Sequence, residues 1–255
     1  MKLILPLIFS FLAPSAASQS IDLATEKSII RETLCQYLNT NPNSAASFLK
    51  TNKGYQQMRD YHIMALAFES DAAKKKDIYN DMSDFDRYVD SVTLQLQTQK
   101  VMVQLTDTLY AYQYTTGSKN LKNETDWQKN YANLLDDFQK NNMHRFDTII
   151  GEAYIELVKQ QINYKGRNTH LELSSFNKEY YQYQKKVDNC DTNEFCIQAD
   201  KVYHAVFNAD GTIGCYLFSF LCGDNKICRN FIFIKKENGR WFYVDNYPSW
   251  IIDEA

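Results

Sequence analysis

The chain has 255 residues, with 28 Lys+Arg against 31 Asp+Glu, 44% hydrophobic and 14% aromatic residues, and only 8 Gly and 4 Pro. Charges this evenly balanced and interspersed argue against nucleic acid or an anionic membrane surface as a partner, since either calls for a basic face. The length suits one large or two small domains, each able to bury a core.

Met1–Ser18 opens with Lys2, continues with an apolar run from Leu3 to Ala13, and ends in Pro14 and small residues. That layout predicts a cleavable secretory signal, cut near Ser18-Gln19. The apolar run is about half the ~20 residues of a spanning helix, and no comparable run follows, so no membrane span is expected. Loss of Lys2 with the leader leaves 27 basic against 31 acidic residues, a net charge of −4.

Ile21–Asn39 predicts an amphipathic helix, with Ile21, Ala24, Ile29, Leu34 and Leu38 on one broad stripe and Asn41-Pro42-Asn43 ending it. Ser44–Leu49 reads as a short helical turn. A second long helix is expected from Tyr55 to Tyr79, with Lys74-Lys75-Lys76 as a solvated face near a helix end. Ser83–Thr116 has two readings. The alternation of Val92, Leu94 and Leu96, and of Val101, Val103 and Leu105, suits strands, whereas the absence of turn residues and two helical faces suit a long helix; we take the helix. Asn123–Tyr164 predicts helix with a break near Asn141-Asn142, and Ser174–Val187 predicts a tyrosine-rich helix. These elements divide the chain into a leader (1–18), a helical region (19–118) and a unit of helices plus antiparallel sheet (119–255).

Four strands follow in succession: Lys201–Phe207, Ile213–Leu221, Cys228–Lys236 and Arg240–Asn246, each rich in Val, Ile, Phe and Tyr. Asp210-Gly211, Gly223-Asp224-Asn225 and Asn238-Gly239 supply the turns, and short connections make the strands an antiparallel meander. The predicted fold class is α+β: long N-terminal helices, then a four-stranded meander with helices on one face.

Six cysteines in an exported chain read first as disulfides. Cys222 with Cys228 and Cys190 with Cys196 would close short loops, leaving Cys35 with Cys215 as a long-range staple. No C-x-x-C and no Cys/His grouping at ligand spacing is present, so no metal is expected. No motif calls for a cofactor, and nucleophile-elbow and phosphate-loop signatures are missing.

The closing stretch Gly239-Arg240-Trp241-Phe242-Tyr243-Val244-Asp245, after a helical region and a meander, resembles the last strands of the nuclear-transport-factor-2-like superfamily, with its ketosteroid-isomerase-like and polyketide-cyclase-like members. The resemblance covers Asn123–Ala255. It implies a curved sheet wrapped into a cone, with an interior that serves as ligand pocket, active site or plain core.

Alternation places Val202, His204 and Val206 on one face, and Trp241, Tyr243 and Asp245 on one face of the last strand. His204 and Asp245 would then be an acid/base pair, with Tyr216 or Tyr243 polarising a carbonyl and Trp241 and Tyr243 lining a ligand. The plainer reading makes these residues a packed core with a satisfied histidine. The function expected from these features is that of an exported bacterial protein, secreted or periplasmic, a candidate secreted effector that binds a protein or a small hydrophobic ligand without catalysis. The alternative is a lyase or isomerase, or a carrier of hydrophobic ligands, using a pocket between sheet and helices.

Overall fold

The computed structural model describes residues 21–40, 49–50, 52–111, 152–164, 166–178, 180–185, 195–221 and 226–254. The predicted leader, most of Asn123–Tyr164, the Gly223-Asp224-Asn225 turn, Cys190 and Cys222 lie outside them. Among the described residues the helices are α1 (Leu23–Leu38), α2 (Lys53–Phe68), α3 (Ala72–Gln95) and α4 (Glu152–Ile162). The strands are β1 (Val101–Leu105), β2 (Thr108–Tyr110), β3 (Thr169–His170), β4 (Tyr181–Lys185), β5 (Cys196–Tyr203), β6 (Val206–Phe207), β7 (Ile213–Leu221), β8 (Lys226–Glu237) and β9 (Arg240–Glu254).

The protein is α+β, and its sheet is larger than a four-strand meander. The antiparallel run β5-β7-β8-β9 is present, but β1 and β2 lie parallel to β5, β4 lies parallel to β1, and β3 and β6 add short edges. The result is an open, mixed, nine-stranded sheet. The β8–β9 hairpin turns at Asn238 (φ 49°) and Gly239 (φ 80°), the left-handed pair that a two-residue turn needs.

Both faces of the sheet are covered, which corrects the expectation of helices on one face. Tyr216, Phe218, Ile232 and Ile234 pack with Ile29, Ile30, Leu34 and Leu38 of α1, with Val92 of α3 and with Leu96, its C-cap. Their strand neighbours Cys215, Leu217, Phe231 and Phe233 point the other way and pack with Tyr154, Leu157, Val158 and Ile162 of α4. Successive strand residues face opposite sides, so a strand covered on both reads as a continuous apolar run, as in Cys215-Tyr216-Leu217-Phe218.

The same two layers rule out the Cys35–Cys215 staple. Cys35 packs at the α1-side core and Cys215 sits in the α4-side core, and both are free thiols. Cys196 and Cys228 are not among the free thiols.

Three helical expectations are also corrected. Tyr55–Tyr79 is two helices, broken at 69–71, where Glu69 accepts from the backbone N–H of Ser70 and Asp71, and Asp71 caps α3 through Ala73 and Lys74 N–H. Carboxylates close this turn without Gly or Pro. Lys74–Lys76 therefore opens α3, at the end where the helix dipole disfavours positive charge. Ser83–Thr116 is helix only to Gln95, after which β1 and β2 enter the sheet. Ser174–Val187 is a 3-10 turn, Leu173–Phe176, followed by β4, whose Tyr181 and Tyr183 face the core at strand spacing.

Candidate functional site

The densest grouping of chemistry-bearing side chains lies where α1 and the segment after α4 meet the end of β5. Asp22 caps α1 by accepting from Thr25 N–H at 3.0 Å. Glu26 follows in the first turn, where the helix dipole favours a carboxylate. Glu26 continues the buried stripe of Ile29, Ile30, Thr33, Leu34, Tyr37 and Leu38, so helical spacing drives its charge toward the sheet.

There it meets His204. Glu26 Oε1 accepts from Ala205 N–H at 2.6 Å and faces His204 Nδ1 at 3.1 Å, with Oε2 at 3.2 Å. His204 Nε2 lies 3.0 Å from the Arg167 carbonyl and 3.4 Å from Thr169 Oγ1. The Tyr164 ring covers the imidazole at 5.3 Å between centroids. The backbone of His204 is equally engaged: its N–H donates to the Tyr110 carbonyl at 2.8 Å, and its carbonyl accepts from Gln161 Nε2 of α4 at 2.9 Å. Glu26 is 7% exposed and His204 3%. Nδ1 thus faces the Glu26 carboxylate and Nε2 the Arg167 carbonyl, so each ring nitrogen has an oxygen of the protein within hydrogen-bond reach. The arrangement joins α1, the segment after α4 and the sheet.

The other predicted site residues do not converge on it. β5 ends at Tyr203 and β6 starts at Val206, so the face alternation breaks at His204: Val202 lies in the α1-side core and Val206 in the α4-side core. A register shift between Phe233/Ile234 and their β9 partners inserts a bulge at Val244. The bulge flips β9, so Trp241 and Tyr243 face the α1 side while Asp245 pairs with Phe233 on the α4 side. Counting across Val206↔Cys215, Cys215↔Phe233 and Phe233↔Asp245, Asp245 stands three strand spacings, about 14 Å, from Val206. His204 and Asp245 are not a pair, and Asp245 accepts from Asn246 N–H.

Tyr216 is fully buried, with its hydroxyl 3.2 Å from Thr33 Oγ1, and burial pushes that hydroxyl far above its ordinary value. Tyr243 donates to Asn246 Oδ1 at 2.6 Å and lies edge-on to Tyr37 at 5.7 Å. Trp241 is buried edge-on to Phe207 at 5.3 Å. These three aromatics are core.

A second polar grouping sits at the β5 bulge between Ala199 and Lys201. Ser219 Oγ accepts from Lys201 N–H at 3.0 Å and donates to Asp200 Oδ2 at 3.2 Å. The hydroxyl stands in for the ladder partner that the bulge removes.

Sequence reasoning passed over Glu26, although a charged residue in register with an apolar stripe was a readable signal. Gln36 was missed too. Its side-chain amide donates to the Trp241 carbonyl at 3.2 Å and accepts from Tyr243 N–H at 2.8 Å, pairing β9 as a neighbouring strand would. Among the described residues no three His, Cys, Asp or Glu side chains are grouped to hold a metal ion, and no helix is long and apolar enough to cross a membrane. No family model, no curated protein and no solved structure matches the chain.

Proposed function

We propose that the chain is an exported, non-catalytic binding or interaction protein of a bacterium, and that the α2–α3 hairpin is its contact surface. The observation that carries this reading is where the exposed apolar side chains lie. Of the nine exposed large hydrophobic residues among those described, seven belong to the hairpin: Met58, Tyr61, Ile63, Met64, Phe68, Tyr79 and Leu94. Scattered single hydrophobics are ordinary on a surface, whereas a concentration on one element marks an interaction site. The engagement of both His204 nitrogens by protein acceptors supports the non-catalytic half of the reading.

The test is a photo-crosslinking amino acid placed at Tyr61 of the exported protein, with Phe242 on β9 as the exposed control. Specific adducts from position 61 and none from 242 are expected. A folded protein that gives no adduct from 61 in its own compartment refutes the assignment of the surface.

A further inference from the structure

His204 holds two parts of the chain through one ring. Its Nδ1 meets the Glu26 carboxylate of α1 at 3.1 and 3.2 Å, while Nε2 lies 3.0 Å from the Arg167 carbonyl and 3.4 Å from Thr169 Oγ1. Arg167 and Thr169 belong to the strap 166–169, which leads into β3. Asn168 ties the same strap to the end of β2, its Oδ1 accepting from Ala111 N–H at 2.9 Å. The ring is buried, so a bond lost at either nitrogen is not made good by bulk water.

The oxygens nearest the two nitrogens, a carboxylate and a backbone carbonyl, are both acceptors. An imidazolium carries a proton on each nitrogen and donates to both, whereas a neutral imidazole carries one proton and donates to one. The single proton stays at Nδ1, because the charge of Glu26 makes that bond the stronger. Nε2 then turns a lone pair toward the Arg167 carbonyl. The donor that the structure places within reach of it is the Thr169 hydroxyl, which rotates and closes from 3.4 Å.

We propose that the strap 166–169 is a pH-sensitive latch: the His204 imidazolium fastens it through the Arg167 carbonyl, and the neutral ring releases that carbonyl and accepts from Thr169 instead. The fastened form binds one more proton, so it gains as pH falls and is lost as pH rises. The surrounding groups leave this response to His204. Glu26 supplies the facing charge from α1. Tyr164 covers the ring, and burial, with the Glu26 charge adding to it, holds its hydroxyl above the ordinary value, so it stays protonated through neutral pH. Tyr110 of β2 meets His204 through its backbone carbonyl and turns its ring toward Lys201 and Tyr203 of β5. Gln161 of α4 and Thr169 of β3 are neutral. Arg167 keeps its charge at every working pH, and both it and His170, the other histidine beside the strap, are exposed. The latch stands apart from the contact surface on α2 and α3.

Nitrogen NMR of the imidazole of the mature chain, from about pH 5 to 8, tests the proposal together with exchange of the Ala111 amide, whose acceptor rides on the strap. Nε2 should lose its proton as pH rises while Nδ1 keeps its own. Over the same interval the Ala111 protection factor, taken relative to the intrinsic exchange rate, should fall about threefold to tenfold. Two variants should move the transition in opposite directions. Glu26→Gln keeps an acceptor for Ala205 N–H but removes the charge that favours the imidazolium, so the transition shifts to lower pH. Thr169→Val removes the hydroxyl that serves the neutral ring, so the transition shifts to higher pH. His170→Gln should leave it in place. Constant protection at Ala111 across the range, loss of the proton from Nδ1 instead of Nε2, or a transition that responds to His170→Gln and not to Glu26→Gln overturns the latch.

Discussion

Helices α1 and α2 are each 16 residues long, with eight and nine apolar residues, yet α1 is docked on the sheet and α2 packs chiefly on α3. Apolar content therefore does not decide which of them is docked. What separates them is a set of polar attachments. α1 reaches the sheet through Glu26 to His204 and Ala205 N–H, Thr33 to Tyr216, Gln36 to the β9 edge, and Tyr37 Oη, which accepts from Asn230 Nδ2 at 2.7 Å. The polar side chains of α2 that reach another helix, Tyr55 and Arg59, both bond Asp86 of α3. Burial supplies the driving force for α1, and the polar bonds fix where it sits, because each would be costly if left unmade.

The largest effect expected is at Glu26. Glu26→Ala leaves His204 and Ala205 N–H without their acceptor in a buried setting, which should cost about 3–5 kcal/mol in denaturant unfolding. Leu34→Ala, in the same fully buried stripe, should cost about 2–5 kcal/mol through its cavity. Phe68→Ser on α2, where the side chain is 83% exposed, should stay within about 0.5 kcal/mol of the parent. If Phe68→Ser destabilised the chain as much as Leu34→Ala, the contrast between the helices would be gone.

Tyr216→Phe should cost about 1 kcal/mol by removing the Thr33 contact. Burial pushes the Tyr37 hydroxyl up to about 12 and raises Tyr154, Tyr183 and Tyr216 as well. A folded-state value above the ordinary 10 means that the native chain holds protons the unfolded chain releases. This stability is whole below pH 10 and lost as pH rises from there toward 12. The tyrosinate absorbance of these buried hydroxyls should therefore appear in one cooperative step with unfolding. The smallest effect concerns Cys35, whose thiol burial pushes up to about 11. Its alkylation at pH 8 should be slow in the native chain and fast after unfolding.

Much of the fold was legible where local chemistry decides it. The stripe of α1, the Asn238-Gly239 turn and the run of strands from Ile213 onward all follow from residues close together in sequence. What failed depended on distant partners. Tyr181-Gln182-Tyr183-Gln184 alternates as a strand does, but its partner is β1, some eighty residues earlier in the chain. Val101–Leu105 is a strand because β4 and β5 flank it on both sides. The candidate site was misread for a related reason. Bulges and strand breaks change the face of every later residue, and the one at Val244 has no signature in the unbroken apolar run Trp241-Phe242-Tyr243-Val244. His204 was singled out from its strand alone, and its partner is a glutamate 178 positions away, on a helix read only for its apolar stripe.

The difference between the two helices can be read in one experiment, hydrogen exchange of the mature chain followed by mass spectrometry. Amides of α1 should exchange only by global unfolding, because Glu26 and Gln36 bind that helix to the core. Amides of α2 should exchange faster than those of α1, because Tyr55 and Arg59 bond Asp86 of α3 rather than the sheet. Equal protection of both helices would contradict the account.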